Sequence, residues 1–182
     1  MFKSLPHIEL VSLHQFGDYE APEETGTTFR ENAILKAEHA ARQLNRLVVA
    51  DDSGLVVPAL NGEPGVRSRR YAGPAATDSE NRQKLLYAMQ DLHGEARTAY
   101  FECCLALAGP EGLIKCVEGI CEGIIISETK GRNGFGYDPL FIKNDYEKTF
   151  AELDNTTKNR VSHRRKAFER LSTCLESFKN AL

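Results

Sequence analysis

Three features of the 182-residue sequence predict an α/β fold, a mixed sheet with flanking helices. Short apolar, β-branched runs at 47–50 and 98–108 have the composition of strands. Two capping boxes, Thr28 to Glu31 and Thr77 to Glu80, each stand at the start of a helical pattern. Glycine- and proline-rich stretches between these segments are typical of loops. Since the chain shows no repeat, linker or low-complexity segment, we expect a single domain over residues 1–182.

Each predicted element has its own sequence signal. The first helix carries a narrow stripe of alanines, which lets a helix pack closely on its partner. Two long β-type runs flank the turn residues Gly109 to Gly112, which indicates an antiparallel hairpin, and Gly119 and Gly123 mark bends or bulges in it. The last helix would bury Ala167, Leu171, Leu175, Phe178 and Leu182, which lie three and four residues apart. In order, we predict a strand at 8–13, a helix from Thr28 to Leu44, a strand at 47–50, a helix from Thr77 to Leu92, strands at 98–108 and 113–127, a strand at 140–142 and a helix from Ser162.

The composition excludes several classes of protein. A net charge of -3 argues against a protein that coats nucleic acid, and the apolar runs are shorter than the ~20 residues that a membrane span needs. The five cysteines are odd in number and include no C-x-x-C pair, so we expect reduced thiols rather than disulfides or a zinc site. The N-terminus lacks the apolar core of a signal peptide. We therefore expect a cytoplasmic protein.

Two acidic pairs are candidates for a metal site. The sequence predicts that the apolar strand at 48–50 ends in Asp51, Asp52, Ser53 and Gly54, and ligands of open α/β sheets bind beyond the carboxyl ends of strands. The alternative is an ordinary turn, because these residue types are common in turns. Glu23 and Glu24 lie in an acidic loop and are either metal ligands or solvated surface groups. Magnesium takes one or two protein carboxylates and leaves its other positions to water and phosphates, which fits two sparse acidic pairs.

A basic segment at 158–166 contains five basic residues and His163 in nine positions, at the predicted start of the last helix. Cations at that end oppose the helix dipole, whereas the free N–H groups there bind anions. A polyphosphate would account for the placement. A solvated basic face is the plain alternative, and a nucleic-acid patch is a third that the net charge disfavours.

The segment Gly134 to Asp138 alternates glycines with Phe135 and Tyr137. Glycines let the backbone approach a ligand, and an aromatic ring beside them can stack on a flat base. The alternative is a tight turn with an aromatic residue of the core. Together, the carboxylates, the basic segment and this loop indicate an enzyme that acts on nucleotides.

Six motifs in this order also resemble the inosine/xanthosine triphosphate pyrophosphatase family, also called the Ham1-like family. The resemblance runs from about residue 8 to the C-terminus, and several such motifs in the same order are far more specific than one. The motifs are Thr28-Phe29-Arg30-Glu31-Asn32-Ala33, Ala50-Asp51-Asp52-Ser53-Gly54-Leu55, Pro64-Gly65-Val66-Arg67-Ser68, Arg70-Tyr71-Ala72-Gly73, Gly134-Phe135-Gly136-Tyr137-Asp138-Pro139 and Ser162-His163-Arg164.

The resemblance implies an elongated α/β fold with a central cleft, a homodimer, and magnesium-dependent hydrolysis of non-canonical purine nucleoside triphosphates (ITP, dITP, XTP) to the monophosphate and pyrophosphate. By the motifs, Asp52 would be metal ligand and proton acceptor, and Glu23 the second metal ligand, with Glu24 as the competing choice. The implied substrate contacts are Ser53, Phe135, Gly136, Tyr137 and Asp138, with Lys158, His163 and Arg164 for the base and phosphates.

The sequence departs from the family at its start. The family opens with a strand and a Ser/Thr-x-Asn-x-x-Lys loop, whereas Met1 to His7 of this chain aligns best with the end of the helix that follows. On this reading the domain is N-terminally short and lacks one lysine for the triphosphate. We therefore expect weakened phosphate binding, and the alternative function is a nucleotide-binding homologue with impaired catalysis.

Overall fold

The structure is a computed structural model that describes residues 8–177 of the chain. It confirms the α/β prediction, since the described residues contain both helices and a four-stranded sheet. The elements are α1 (Phe29–Leu44), β1 (Val48–Val56), α2 (Asp78–Ala88), β2 (Thr98–Gly109), β3 (Gly112–Ile125), β4 (Phe141–Lys143), α3 (Asn155–Val161) and α4 (His163–Ser177). Short 3-10 turns lie at Leu13–Gln15, Pro58–Leu60, Gly65–Arg70, Gly94–Arg97 and Asp138–Leu140.

The four strands form one sheet in the order β1-β2-β3-β4. A two-residue connection joins β2 to β3, as the predicted hairpin requires. β4 pairs antiparallel with β3 and sets Gly123 opposite Lys143. A Cβ at Gly123 would collide with the backbone carbonyl of Ile142, so this glycine permits the close approach of β4.

Both predicted capping boxes are present. Thr28 accepts a hydrogen bond from the backbone N–H of Glu31, whose carboxylate in turn accepts from the N–H of Thr28, and Thr77 and Glu80 make the same exchange at α2. The alanine stripe of α1 is fully buried, at positions 33, 37, 40 and 41. The narrow face of α1 thus packs closely, as its residues predict.

The described residues form two compact units, which we describe one at a time. The first contains 8–52, 103–119 and 164–177. In its core, Ala167, Phe168 and Leu171 of α4 pack on Cys103, Leu105, Leu107 and Val117 of the strands. An apolar helix face on an apolar sheet face is the two-layer arrangement that shields both from water.

The second unit contains residues 53–102 and 120–163. Leu85 and Met89, from α2 and its C-terminal end, pack with strand residues such as Phe101 and Ile125. Three phenylalanine rings meet at its centre: Phe101 lies 4.7 Å from Phe141 and 6.0 Å from Phe150 between ring centroids. The interpretation of residues 1–182 as one domain stays a prediction.

Two predicted elements differ from the structure. The segment 8–13 is not a strand: Leu10 is 61% exposed, and Leu13 begins a 3-10 turn in which Ser12 caps the N–H of His14. The alternation of apolar residues is too short to decide between strand and coil without a pairing partner. The basic segment spans two helices rather than the start of one, because Ser162 has extended backbone angles between α3 and α4. Phe178 and Leu182, expected in the last helix, lie outside the described residues.

Candidate active site

Asp51 and Asp52 lie inside β1, not beyond its end as the sequence suggested. The strand continues through Ser53 and Gly54 to Val56, because the apolar residues that follow are buried and the N–H of Leu55 is satisfied by the hydroxyl of Ser68 at 2.9 Å. Successive side chains of a strand point to opposite faces. The two carboxylates are therefore separated, and each meets a different helix.

Asp52 faces α1 and is buried, with 9% of the residue exposed. Its Oδ1 accepts a hydrogen bond from Lys36 Nζ at 2.8 Å, and its Oδ2 accepts one from Asn32 Nδ2 at 3.3 Å. Lys36 Nζ also lies 3.0 Å from Oε1 of Glu24. One ammonium group thus bridges two carboxylates, and we call Glu24, Asn32, Lys36 and Asp52 the carboxylate cluster.

Asn32 holds the acidic loop against α1. This side chain is fully buried, and its Oδ1 accepts a hydrogen bond from the N–H of Gly26 at 2.8 Å. A Cβ at Gly26 would lie 2.6 Å from that same oxygen, so only glycine allows the loop to come this close. This contact fixes the loop at Gly26, two residues after Glu24, and thereby brings the carboxylate of Glu24 to Lys36.

The geometry favours Glu24 over Glu23 as the partner of Asp52. Glu24 is half-buried and reaches the ammonium group that Asp52 also binds, whereas Glu23 is exposed. Neighbouring residues of an extended segment project in different directions, and sequence alone does not say which one faces inward. Within residues 8–177 no group of three or more His, Cys, Asp and Glu side chains forms a metal cage.

The electrostatics of the cluster favour a proton acceptor. Burial raises the pKa of Asp52 above its ordinary value, and the charge of Glu24 adds to this, although Lys36 and Asn32 act in the opposite direction. Burial lowers the pKa of Lys36, but the hydrogen bonds and charges of Asp52 and Glu24 outweigh it and hold that pKa above the ordinary value. The cluster therefore keeps its cation while making protonation of Asp52 easier.

Asp51, on the opposite face of β1, binds Arg164 of α4. Arg164 Nε and Nη2 lie 3.0 and 2.9 Å from the same Oδ2 atom. The ion pair is partly exposed, with 34% and 41% of the two side chains accessible. The two hydrogen bonds to Asp51 hold the guanidinium of Arg164 at the first turn of α4, where the N-terminal end of the helix favours anions.

In the second unit, Lys158, Asp138 and Phe135 form a separate group, which we call the base group. The ammonium of Lys158 pairs with Asp138 Oδ2, and Nζ lies 4.7 Å from the ring centroid of Phe135. Asp138 is buried and also accepts a hydrogen bond from the N–H of Phe135 at 2.8 Å. Phe135 is 61% exposed, so an aromatic residue is presented to solvent beside a positive charge.

The glycine loop, Gly134 to Asp138, contains two aromatic residues, and each fits a different one of the two interpretations, a core aromatic or a stacking surface. Tyr137 is an aromatic residue of the core: it is buried, and its hydroxyl donates to the carbonyl of Ser68 at 2.9 Å. Burial raises the pKa of Tyr137 well above the ordinary value. Phe135 fits the stacking interpretation, because its ring remains accessible.

His163 and Ser53 have different surroundings. His163 is the first residue of α4, is buried, and stacks on Phe101 with ring centroids 4.9 Å apart. Ser53 is half-buried in β1. The roles of Ser53, Gly136, Tyr137, Asp138, Lys158, His163 and Arg164 toward a substrate stay predictions.

The structure changes the electrostatic argument for the basic segment. Lys158 and Arg160 lie in the last turn of α3, where a cation stabilises the helix dipole rather than opposing it. Only the part from His163 onward lies at a helix start. The missed boundary had a sequence signal, since Asp154 caps α3 by accepting from the N–H of Thr157 at 2.9 Å.

Two residues of the carboxylate cluster were not identified as site residues from the sequence, Asn32 and Lys36. They lie four residues apart and therefore on one face of α1, behind the capping box. A buried asparagine and a lysine on the alanine face of a helix interrupt an otherwise apolar stripe. That interruption was the available signal.

The chain matches a model of the Ham1 family over residues 1–174. It is 66% identical over 181 residues to a dITP/XTP pyrophosphatase of Protochlamydia amoebophila, covering 99% of this chain and 91% of that protein. It is 51% identical over 166 residues to a dITP/XTP pyrophosphatase of Bacillus anthracis, covering 90% and 82%. The structure superposes on a HAM1 protein from Coxiella burnetii with a TM-score of 0.89 and 44% identity, covering 97% and 91%. The match to the family model over nearly the whole chain, together with these identities, shows that this chain belongs to the Ham1 family.

Proposed function

We propose that this chain hydrolyses non-canonical purine nucleoside triphosphates, among them dITP, XTP and ITP, to the monophosphate and pyrophosphate. Its curated relatives carry the name dITP/XTP pyrophosphatase at up to 66% identity. The observation that carries the proposal is the carboxylate cluster, in which Glu24 and Asp52 share one cation, Lys36. Two carboxylates this close together bind a cation. A triphosphate that carries a bound metal ion brings such a cation with it.

The donor set fits magnesium. Glu24 and Asp52 supply two carboxylates, and the ammonium of Lys36 lies within 3.0 Å of both, which supports a site for positive charge. Magnesium binds through one or two carboxylates and takes its remaining ligands from water and phosphates. When bound, it would neutralise phosphate charge during hydrolysis. Glu24 and Asp52 would hold it.

Asp52 is the candidate general base. It is buried beside Lys36 and Asn32, and its raised pKa makes its carboxylate a better proton acceptor than an exposed aspartate. Asn32 orients the carboxylate of Asp52 by donating a hydrogen bond to its Oδ2 atom. A water molecule held at Asp52 would lose its proton to this group as it attacks phosphorus.

The base group is suited to recognise a 6-keto purine. Phe135 offers a face on which a purine can stack, and Lys158 beside it is a donor without an acceptor atom. A purine with an oxygen at position 6 can accept from such a donor, whereas the amino group of adenine cannot. A buried polar group that the wrong base would leave without a hydrogen bond gives strong selectivity between bases. Ser53, His163 and Arg164 would contact the sugar and phosphates, with Arg164 held in place by Asp51.

The test is pyrophosphate release from ITP, XTP and ATP by the chain and by Asp52→Asn. We expect turnover of ITP and XTP well above that of ATP, and loss of turnover in Asp52→Asn with little change in the thermal midpoint. Asp91→Asn, at an exposed aspartate, is the matched control and should retain activity. Full activity of Asp52→Asn would remove Asp52 from the mechanism. Binding of ITP without release of pyrophosphate by the unmodified chain would indicate the catalytically impaired alternative.

We infer that the protein acts as a homodimer in the cytoplasm. No disulfide joins Cys103, Cys104, Cys116, Cys121 or Cys174, and reduced cysteines are the state that a reducing compartment maintains. None of the helices within residues 8–177 combines the length and hydrophobicity that crossing a membrane requires. Light scattering on the purified protein tests the dimer: a mass of one chain, 20.3 kDa, at micromolar concentration would contradict it.

A further inference from the structure

The glycine loop at 131–138 is anchored at its beginning but needs a second contact at its tip. The N–H groups of Arg132 and Asn133 both donate to the carbonyl of Ala151, at 3.2 and 3.0 Å. The tip around Phe135 and Gly136 projects beyond this anchor, and Gly136 has a φ of +58°, a conformation that glycine adopts readily. An exposed, glycine-rich tip is costly to order when a ligand binds.

Two side chains of α2 hold this tip. Asp78 Oδ2 accepts a hydrogen bond from the N–H of Gly136 at 2.6 Å, and Arg82 Nη1 donates to the carbonyl of Gly136 at 2.7 Å. The two residues lie four positions apart and therefore on one face of the helix. Together they bind both polar groups of a single residue, and we call this pair of contacts the α2 clamp.

The clamp acts directly beside Phe135. The N–H of Phe135 is bound by Asp138, and the next N–H along the chain, that of Gly136, is bound by Asp78. The backbone N–H groups of Phe135 and of the next residue are thus both bound, while Phe135 as a residue is 61% exposed. Side-chain bonds to backbone that leave the ring accessible are what a preorganised binding surface requires.

The helix that carries the clamp is held at its start and along its inner face. Its first turn is closed by the capping box of Thr77 and Glu80, and Leu85 on its inner face is fully buried. Asn81, between the clamp residues, is also buried, accepts from the N–H of Ala72 at 2.8 Å and donates to the carbonyl of Arg69 at 2.9 Å. Asp78 and Arg82 therefore project from a fixed base.

We propose that Asp78 and Arg82 are positioning residues for purine recognition: they hold Gly136, and through it the ring of Phe135, in the conformation that stacks on the base. This inference rests on the proposed function, because it takes the base group as the purine site. The two clamp residues bind the backbone of Gly136 beside Phe135, so their loss weakens binding of the base and spares the chemical step.

The experiment uses Asp78→Ala and Arg82→Met, with Asp78→Asn and Arg82→Lys as conservative variants that keep an acceptor and a donor. Gln83→Ala, an exposed position of the same helix, is the matched control. Titration calorimetry measures binding of inosine monophosphate and, separately, of inorganic pyrophosphate, which lacks a base. Hydrogen exchange followed by mass spectrometry measures protection of the peptide that covers 131–138.

We expect the disruptive variants to bind inosine monophosphate about tenfold more weakly, since a hydrogen bond to a charged group is worth about that factor. Pyrophosphate binding stays within about twofold, as does kcat for ITP, while KM rises. The conservative variants recover most of the loss, Gln83→Ala shows none, and exchange at 131–138 rises in Asp78→Ala and Arg82→Met. A purely structural role of α2 would instead lower the thermal midpoint without separating the two ligands.

Two results overturn the inference. One is equal binding of inosine monophosphate by the disruptive variants and the control. The other is unchanged exchange at 131–138 in the disruptive variants, a measurement that needs no ligand. Failure of the unmodified chain to bind inosine monophosphate at all would instead contradict the proposed function, so the two failures are distinguishable.

Discussion

Replacing Lys36 with methionine tests whether one ammonium group holds the carboxylate cluster together. The substitution keeps the length of the aliphatic chain and removes the charge that lies 2.8 Å from Asp52 Oδ1 and 3.0 Å from Glu24 Oε1. Two carboxylates would then face each other in a partly buried site with no cation between them. We expect the metal-free protein to lose stability.

The size of the loss follows from burial. Breaking a fully buried ion pair costs about 3–5 kcal/mol, because the remaining charge is left uncompensated. Here 22% of the Lys36 side chain, 11% of Asp52 and 29% of Glu24 are exposed, so water screens part of the effect. We therefore expect about 2–3 kcal/mol, which corresponds to a fall in the thermal midpoint of roughly 4–12 °C for a chain of this size.

The pH dependence has a definite sign. Lys36 lowers the pKa of Asp52 in the folded protein, so its removal raises that pKa further above the unfolded value. When a group has a higher pKa in the folded protein than in the unfolded chain, its contribution to stability is fully present below the unfolded-state pKa. That contribution is lost as the pH rises through the folded-state pKa. The deficit of Lys36→Met relative to the unmodified chain is therefore full at neutral pH and shrinks in acid, where Asp52 is protonated.

The assay is thermal unfolding in EDTA and then in millimolar magnesium. Arg42→Met is the matched control, because it also removes a cation from α1, but from an exposed pair with Glu38 that is worth only about 0.3–0.5 kcal/mol. Magnesium should restore more stability to Lys36→Met than it adds to the unmodified chain, since the metal takes over the vacant cationic position. Equal midpoints for Lys36→Met and Arg42→Met in EDTA would refute the reasoning.

Two further predictions test the acidic loop and the second unit. Gly26→Ala places a Cβ 2.6 Å from Asn32 Oδ1 and displaces the loop that carries Glu24, so magnesium affinity should fall about tenfold, the equivalent of about 1.4 kcal/mol. Gly17→Ala, where a Cβ meets nothing within 4 Å, should bind magnesium normally in the same calorimetric titration, and equal affinities would contradict this role of Gly26. Burial and the hydrogen bond to Glu63 raise the pKa of Tyr71 to about 12, so stability should decline as the pH rises from about 10 to 12, where only the unfolded chain releases this proton. Urea unfolding across this range should show a shallower decline for Tyr71→Phe than for the control at exposed Tyr87, Tyr87→Phe, and parallel curves would count against the assignment.

The sequence by itself determined the elements whose signals are local. Both capping boxes, the alanine face of α1 and the hairpin of β2 and β3 are encoded in residues close together in the chain, and all are present in the structure. The family was also determined, because several motifs in a fixed order are specific even when each one is weak. The aspartates of β1 were recognised for the same reason.

Only the tertiary structure decided which side chains meet. Asp51 and Asp52 are adjacent in sequence, yet the alternation of a strand sends one to Arg164 and the other to Lys36. Which of the two glutamates, Glu23 or Glu24, reaches Lys36 depends on how Gly26 packs its loop against Asn32, a contact over six residues that has no periodic pattern. The clamp on Gly136 joins residues more than fifty positions apart. Local propensity determines elements, but partners depend on the packing of elements distant in sequence, and the site consists of such partners.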